Sequence, residues 1–261
     1  MTEDKRADFF RKNGIFYGIG GMLILGLKWF GSRAGFRELE WILAPTARWA
    51  ELLSGIQFVR QEGIGYVSHA HRFLIAPSCA GLQFFLVTAA MLLFSFVHRM
   101  GTKREGVVWT GISLTAAWAL TVFVNGLRIV LAVFLPEMLE KTGFFSGWMT
   151  PERFHTVIGI IVYFTALLFI YRTADAWLGR REGREKDGHA SGRYLAPVFW
   201  YFFIVLGLPF LNRAGKNDPD RFFRYTFLMT GVCLPLLLLF WLAGTIKRQC
   251  RREAEHKNTR P

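Results

Sequence analysis

Six apolar runs, at residues 14–30, 80–97, 107–124, 154–171, 194–211 and 225–246, constrain this chain more than any other feature. A bilayer core is crossed by about 20 mostly apolar residues in a helix, and each run approaches that length. The chain is 52% hydrophobic and carries a formal charge of +13. A soluble domain has nowhere to put so much apolar surface, whereas an integral membrane protein with short basic loops satisfies both values. The expected fold class is therefore an all-α polytopic membrane protein with about six transmembrane helices, its first partner being the lipid bilayer itself. The basic residues cluster between the apolar runs rather than along one helix face, so juxtamembrane anchoring accounts for them and nucleic acid is not an expected partner. Three dispersed cysteines form neither a disulfide framework nor a zinc spacing, and no cleavable signal peptide is evident. No metal or cofactor is implied.

The distribution of Lys and Arg sets an expected orientation. With the N-terminus in the cytoplasm, nineteen of the 32 basic residues fall in inner segments and twelve in outer ones, with Lys28 snorkelling from the first span. The positive-inside rule then places both termini in the cytoplasm. The expected organisation is a membrane core over 1–172, a basic cytoplasmic linker over 173–193, a two-helix membrane hairpin over 194–246 and a basic tail over 247–261. No charged residue interrupts the hairpin's spans, and it is expected to serve as a structural lateral wall.

The long outer segment, 31–79, is not disordered in composition. Leu39, Ile42, Leu43, Trp49, Leu52, Leu53 and Ile56 recur at helical spacing around Pro45, which predicts one or two amphipathic helices on the outer membrane face. Residues 57–75 alternate as a small β-hairpin would, with a turn at Glu62-Gly63, and deliver the chain to Pro77-Ser78-Cys79. After the third span, Asn125-Gly126 predicts a helix break followed by a short surface helix to about 141. Thr150-Pro151-Glu152 reads as the start of the fourth span, with proline in its first turn.

Three residues stand at the outer edges of these spans: Cys79, Arg128 and His155. A lone cysteine in a membrane helix is usually a small apolar filler. Cys79 differs by its position at a helix start, where the backbone dipole favours a thiolate, and by its small neighbours Ser78, Ala80 and Gly81. Arg128 can snorkel to phosphates, or, if the chain kinks before it, turn inward, where an ionisable residue is a functional candidate. His155 can simply close a helix start, or act as the base for a thiol. Together they make a nucleophile, a general acid/base and an oxyanion stabiliser. His69 and His71 precede the cysteine and are secondary candidates for substrate contact. His98 falls on the cytoplasmic side, and His189 and His256 lie in polar cytoplasmic segments.

The blocks Pro77-Ser78-Cys79-Ala80-Gly81-Leu82, Asn125-Gly126-Leu127-Arg128 and Phe154-His155-Thr156-Val157-Ile158-Gly159 resemble, in order and topology, the exosortase/archaeosortase family of membrane transpeptidases. The stretch 62–68 and the lead-in Thr150-Pro151-Glu152-Arg153 look most like the exosortase K branch. The resemblance is strong over about 40–172 and weak over the C-terminal hairpin. It implies a multi-pass protein of the bacterial inner membrane with a Cys79, Arg128 and His155 site on the outer face. It implies a cysteine protease/transpeptidase acting on membrane-anchored proteins with a C-terminal sorting signal, through an acyl-enzyme on Cys79. Ala80 and Gln83 depart from the family, where many members carry a small polar residue and an arginine or similar, so the recognised motif is open. The alternative from another class is a non-catalytic membrane assembly factor for extracellular polysaccharide or surface-protein export. A small transporter is disfavoured, because transport sites lie near the midplane whereas these residues cluster at one face.

Overall fold

The computed structural model describes residues 3–140, 142–145, 147–181, 195–208, 210 and 219–258. Among the described residues, seven α-helices and a small sheet follow one another: α1 (Glu3–Gly31), α2 (Phe36–Ser54), β1 (Val59–Gln61), β2 (Gly65–Ser68), β3 (Phe73–Ile75), α3 (Leu82–Phe96), α4 (Lys103–Glu140), α5 (Pro151–Arg181), α6 (Leu195–Phe202) and α7 (Pro219–Asn258). The protein is an all-α polytopic membrane protein. Five stretches among the described residues are long and apolar enough to cross a bilayer: Gly14–Gly31, Pro77–Arg99, Lys103–Glu140, Pro151–Arg181 and Phe222–Ile246. The fifth of the six expected spans is shorter, an apolar helix over Leu195–Gly207 whose second half is a π-type turn. The charged run 182–194, with His189, and the connection 211–218 lie outside the described residues, as do the side chains of the basic tail.

The bundle is built around α3. Its side chains from Phe84 to Leu93 are all buried, as expected of a helix that is apolar on every face, and α1, α4, α5 and α6 pack about it. Glycines let the backbones close: a Cβ on Gly20 would meet Leu93, and one on Gly31 would meet Leu82. At the end of the bundle where α3 terminates, Arg99 bonds Asp175 of α5 at 2.7 Å. α5 runs on past Arg172 to Arg181, so the beginning of the expected linker is helical.

A cap of α2 and the sheet covers the other end, where α3 and α5 begin. α2 is a single helix despite Pro45. Proline cannot donate to the carbonyl four residues back, and here that carbonyl, of Trp41, accepts from Trp118 Nε1 of α4 at 3.4 Å. The helix starts where the Glu38 carboxylate accepts from the Gly35 N–H at 2.8 Å. It stops at Gly55, whose φ of +71° ends the ladder. The expected hairpin is present and gains a third strand. The sheet is antiparallel in the order β1-β2-β3, with Arg60 opposite Tyr66 and Tyr66 opposite Ile75. Arg60 ties the sheet to α2 through Glu40 and to its own turn through Glu62, which also bonds Arg37.

One expectation is corrected. Asn125-Gly126 does not break the chain, and α4 is continuous over 38 residues. At 1.5 Å per residue it is about 57 Å long, well beyond a 30 Å hydrocarbon core, so its last turns stand alongside the cap. Asn125 does not compete with the helix ladder because both ends of its side-chain amide bond other segments. Gly126 serves close packing instead: a Cβ there would run into the Trp49 ring of α2.

Candidate active site

Among the bundle helices, beside the turn that leads into α3, lies a cavity of about 290 Å³, lined by Cys79, Arg128 and His155 among others. The three residues singled out by sequence thus meet on one wall system, although they come from three different elements.

Cys79 arrives from β3. After Ile75 the chain makes a 3₁₀ turn over Pro77–Cys79, closed by bonds from Cys79 N to Ala76 O at 2.8 Å and from Ala80 N to Pro77 O at 3.1 Å. Gly81 then adopts φ +71°, and α3 begins at Leu82. The thiol therefore sits on the turn that leads into α3, at the mouth of the span. The left-handed residue is a glycine for two reasons. L-residues avoid that region, and a Cβ on Gly81 would stand 3.0 Å from the Asn125 side chain and 3.1 Å from that of Thr121. Cys79 is a free, partly exposed thiol. Its neighbour Ser78 is exposed and lines the cavity, whereas Ala80 is buried away from it.

The turn is fastened to α4. Asn125 Nδ2 donates to the Cys79 carbonyl at 2.6 Å, and the Tyr163 hydroxyl of α5 donates to Asn125 Oδ1, also at 2.6 Å. Tyr163 stacks on Phe84 at 4.7 Å between ring centroids, and its ring carries the Arg128 guanidinium 5.3 Å above its centroid. Asn125 thus reads as a joint between three helical segments, a role that sequence reasoning had given to a kink.

Arg128 is turned inward. One wall against it is Gly159 of α5, where a Cβ would come within 3.6 Å of Nη1. Its Nε and Nη2 are buried and have no hydrogen-bond partner among the described residues. Unpaired guanidinium donors in a low-dielectric site are costly to maintain. They give this arrangement the capacity to receive negative charge, with the cation–π contact supplying part of the compensation. His155 lies one turn into α5 and is half-buried on the same cavity. Among the described residues no hydrogen bond joins it to Cys79 or Arg128, so thiol and imidazole face a shared space rather than each other.

His69 and His71 do not reach the cavity wall. His69 pairs with Gln61 at 3.3 Å and His71 with Glu137 of α4 at 3.3 Å, both on the cap. Conversely, Gln83, Thr156 and Tyr163 line the cavity, as do Tyr201 of α6, Val205 just after it and Tyr225 of α7. These last three fall in the region expected from sequence to be a structural hairpin. The available signal was a tyrosine in each of two otherwise apolar stretches.

Outside the bilayer, Arg60 holds the Glu40 carboxyl below its ordinary range by hydrogen bonding, and Arg37 together with Arg60 does the same for Glu62.

A membrane bundle that gathers a thiol, an imidazole and a guanidinium about one cavity near its end defines a polytopic membrane protein with a candidate thiol site. The family model for transmembrane exosortase (Exosortase_EpsH) matches residues 17–172, a span that includes all three residues. The chain belongs to that family, whose general role is of the membrane transpeptidase type. No curated protein and no solved structure matches the chain.

Proposed function

We propose that this protein is a membrane-embedded cysteine protease/transpeptidase that removes the C-terminal sorting signal of exported proteins and passes them to an acceptor. The observation that carries the reading is the convergence of Cys79, Arg128 and His155 on one cavity. His155 takes the proton of the Cys79 thiol, and the thiolate adds to the scissile carbonyl carbon. The resulting oxyanion is received by the guanidinium of Arg128, which lines the cavity. As the tetrahedral intermediate collapses, the C–N bond breaks, and His155 returns its proton to the leaving amine. The acyl-thioester on Cys79 is then attacked by an acceptor amine or by water, restoring the thiol.

The orientation that supports this chemistry places both termini in the cytoplasm and the cap with its cavity on the outer side of a bacterial inner membrane, in keeping with the Lys and Arg distribution. Substrates are membrane-anchored proteins with a recognition motif followed by a transmembrane helix. Gln83, on the cavity wall, stands where it can read that motif. The Thr150–Arg153 lead-in supports placement in the exosortase K branch.

The test compares the C-terminal peptides of exported proteins, by mass spectrometry, in cells producing the native protein and in cells producing Cys79→Ala at equal level. A set of proteins that loses its C-terminal helix only with the native protein is the expected result. Identical profiles, with helix-bearing candidates demonstrably expressed, would remove the catalytic reading and leave a non-catalytic assembly role.

A further inference from the structure

The region matched by the family model ends at residue 172, yet the cavity does not. Its remaining wall is made by Tyr201 of α6, Val205 of the following π-type turn and Tyr225 of α7. Tyr201 is only 3% exposed, and its ring packs on Phe164 at 5.2 Å. Neither the Tyr201 nor the Tyr225 hydroxyl has a hydrogen-bond partner among the described residues. Both residues belong to the cavity lining, and neither hydroxyl is among the fully enclosed polar atoms that lack partners. A phenol at the wall of a membrane cavity normally finds a polar partner. Two left open on one cavity are a place for a polar ligand group.

Their depth says which group. Phe164, against which Tyr201 packs, lies nine residues beyond His155 along α5, about 14 Å further into the bundle at 1.5 Å per residue. On α5 the cavity lining runs from His155 to Tyr163, and Tyr201, packed on Phe164, belongs to its deeper part. A peptide whose scissile bond lies at Cys79 and whose downstream part enters the membrane must pass that part. The first turn of any helix presents N–H groups without intrahelical partners, and in hydrocarbon each must be satisfied from elsewhere. Uncharged hydroxyls, able to accept or donate, serve backbone amides irrespective of side chain.

We propose that Tyr201 and Tyr225 form a subsite for the backbone amides of the substrate immediately downstream of the scissile bond, so that the C-terminal hairpin is part of the substrate site. This rests on the transpeptidase reading above. A subsite of this kind contributes binding without touching the reacting atoms, so its loss raises the substrate level required while sparing the rate at saturation.

The test follows processing of the substrates revealed by the native versus Cys79→Ala comparison, using pulse-chase in cells producing Tyr201→Phe, Tyr225→Phe or both. Membrane levels are matched, and Cys79 labelling by a maleimide is measured in parallel. Each single variant is expected to slow processing about fivefold at native substrate level, the equivalent of one neutral hydrogen bond, and the double variant more. Overproducing the substrate is expected to restore the rate, and maleimide labelling to be unchanged. Native-rate processing by the double variant, with Cys79→Ala inert, overturns the subsite while leaving the cysteine reading intact. A loss that overproduction does not restore, or that comes with altered Cys79 labelling, also overturns it in favour of a purely structural hairpin. If Cys79→Ala processes like the native protein, both readings fall together.

Discussion

The side-chain amide of Asn125 bonds the Cys79 carbonyl at 2.6 Å and so ties the middle of α4 to the turn that carries the thiol. The two residues are 46 positions apart in sequence. The bond makes the aim of the thiol depend on a residue that never meets the substrate. Asn125→Leu removes the donor and leaves a carbonyl unpaired, at a cost of about 1–3 kcal/mol in stability. Asn125→Asp keeps the size but replaces the donor with a second acceptor. Both variants are expected to process substrate at least tenfold more slowly than native at matched protein level. Tyr163→Phe, which only frees the far end of the amide, is expected to be milder. Pulse-chase processing and thermal unfolding in detergent check the order.

Arg128 is expected not to tolerate lysine. Its Nε and Nη2 are buried donors without a hydrogen-bond partner among the described residues, and an ammonium on a flexible stem reproduces neither the fork nor the planar contact with Tyr163. Removing an oxyanion donor costs about 10²–10³ in turnover in comparable sites. Arg128→Lys is therefore expected to lose about 100-fold in processing rate while Cys79 stays as reactive toward maleimide as in the native protein. Loss of that labelling would instead mark Arg128 as a packing residue.

Gly81→Ala combines a strained φ of +71° with a Cβ 3.0 Å from Asn125. The backbone cost alone is about 1–2 kcal/mol, and the clash falls on the residue that positions Cys79. Activity is thus expected to fall by more than stability alone explains. Gly111→Ala on α4, where a Cβ meets nothing within 4 Å, serves as the control and is expected to behave as native.

The cap has its own pH dependence. Glu40 and Glu62 have carboxyls lowered in the folded protein by Arg60 and Arg37. A lowered folded value means that the contribution is complete above the unfolded carboxylate range, near pH 4.5, and is lost as pH falls through the folded values. These groups are exposed and the effect is small. Protection factors of amides 59–75, corrected for the intrinsic slowing of exchange in acid, are expected to fall between pH 5 and pH 3. Glu40→Gln with Glu62→Gln is expected to flatten that response.

Much of the architecture was legible because it rests on period and length. The apolar runs that become α1, α3, α4, α5 and α7 are visible as stretches of bilayer length. The alternation from Phe58 to Ile75 announces strands. Pro77 and Gly81 punctuate the approach to the thiol. The candidate triad could be named because Cys79, Arg128 and His155 each stand at a span edge, and an orientation that ignores their chemistry sets them on one side.

What a linear reading could not settle was where backbone groups find their partners. Pro45 and Asn125-Gly126 carry the marks of helix breakers, yet Trp118 supplies the carbonyl of Trp41 with a donor, and Cys79 and Tyr163 occupy both ends of the Asn125 amide. Those bonds come from other helices, and local propensity holds no information about them. The same is true of Tyr201 and Tyr225, which look like ordinary aromatic fill in apolar stretches until packing against α3 and α5 turns them toward the cavity. Run length and charge are enough to say that this chain crosses a membrane and which reactive side chains it carries. What surrounds those side chains follows from packing, because it depends on contacts between segments whose spacing along the chain says nothing of their distance in space.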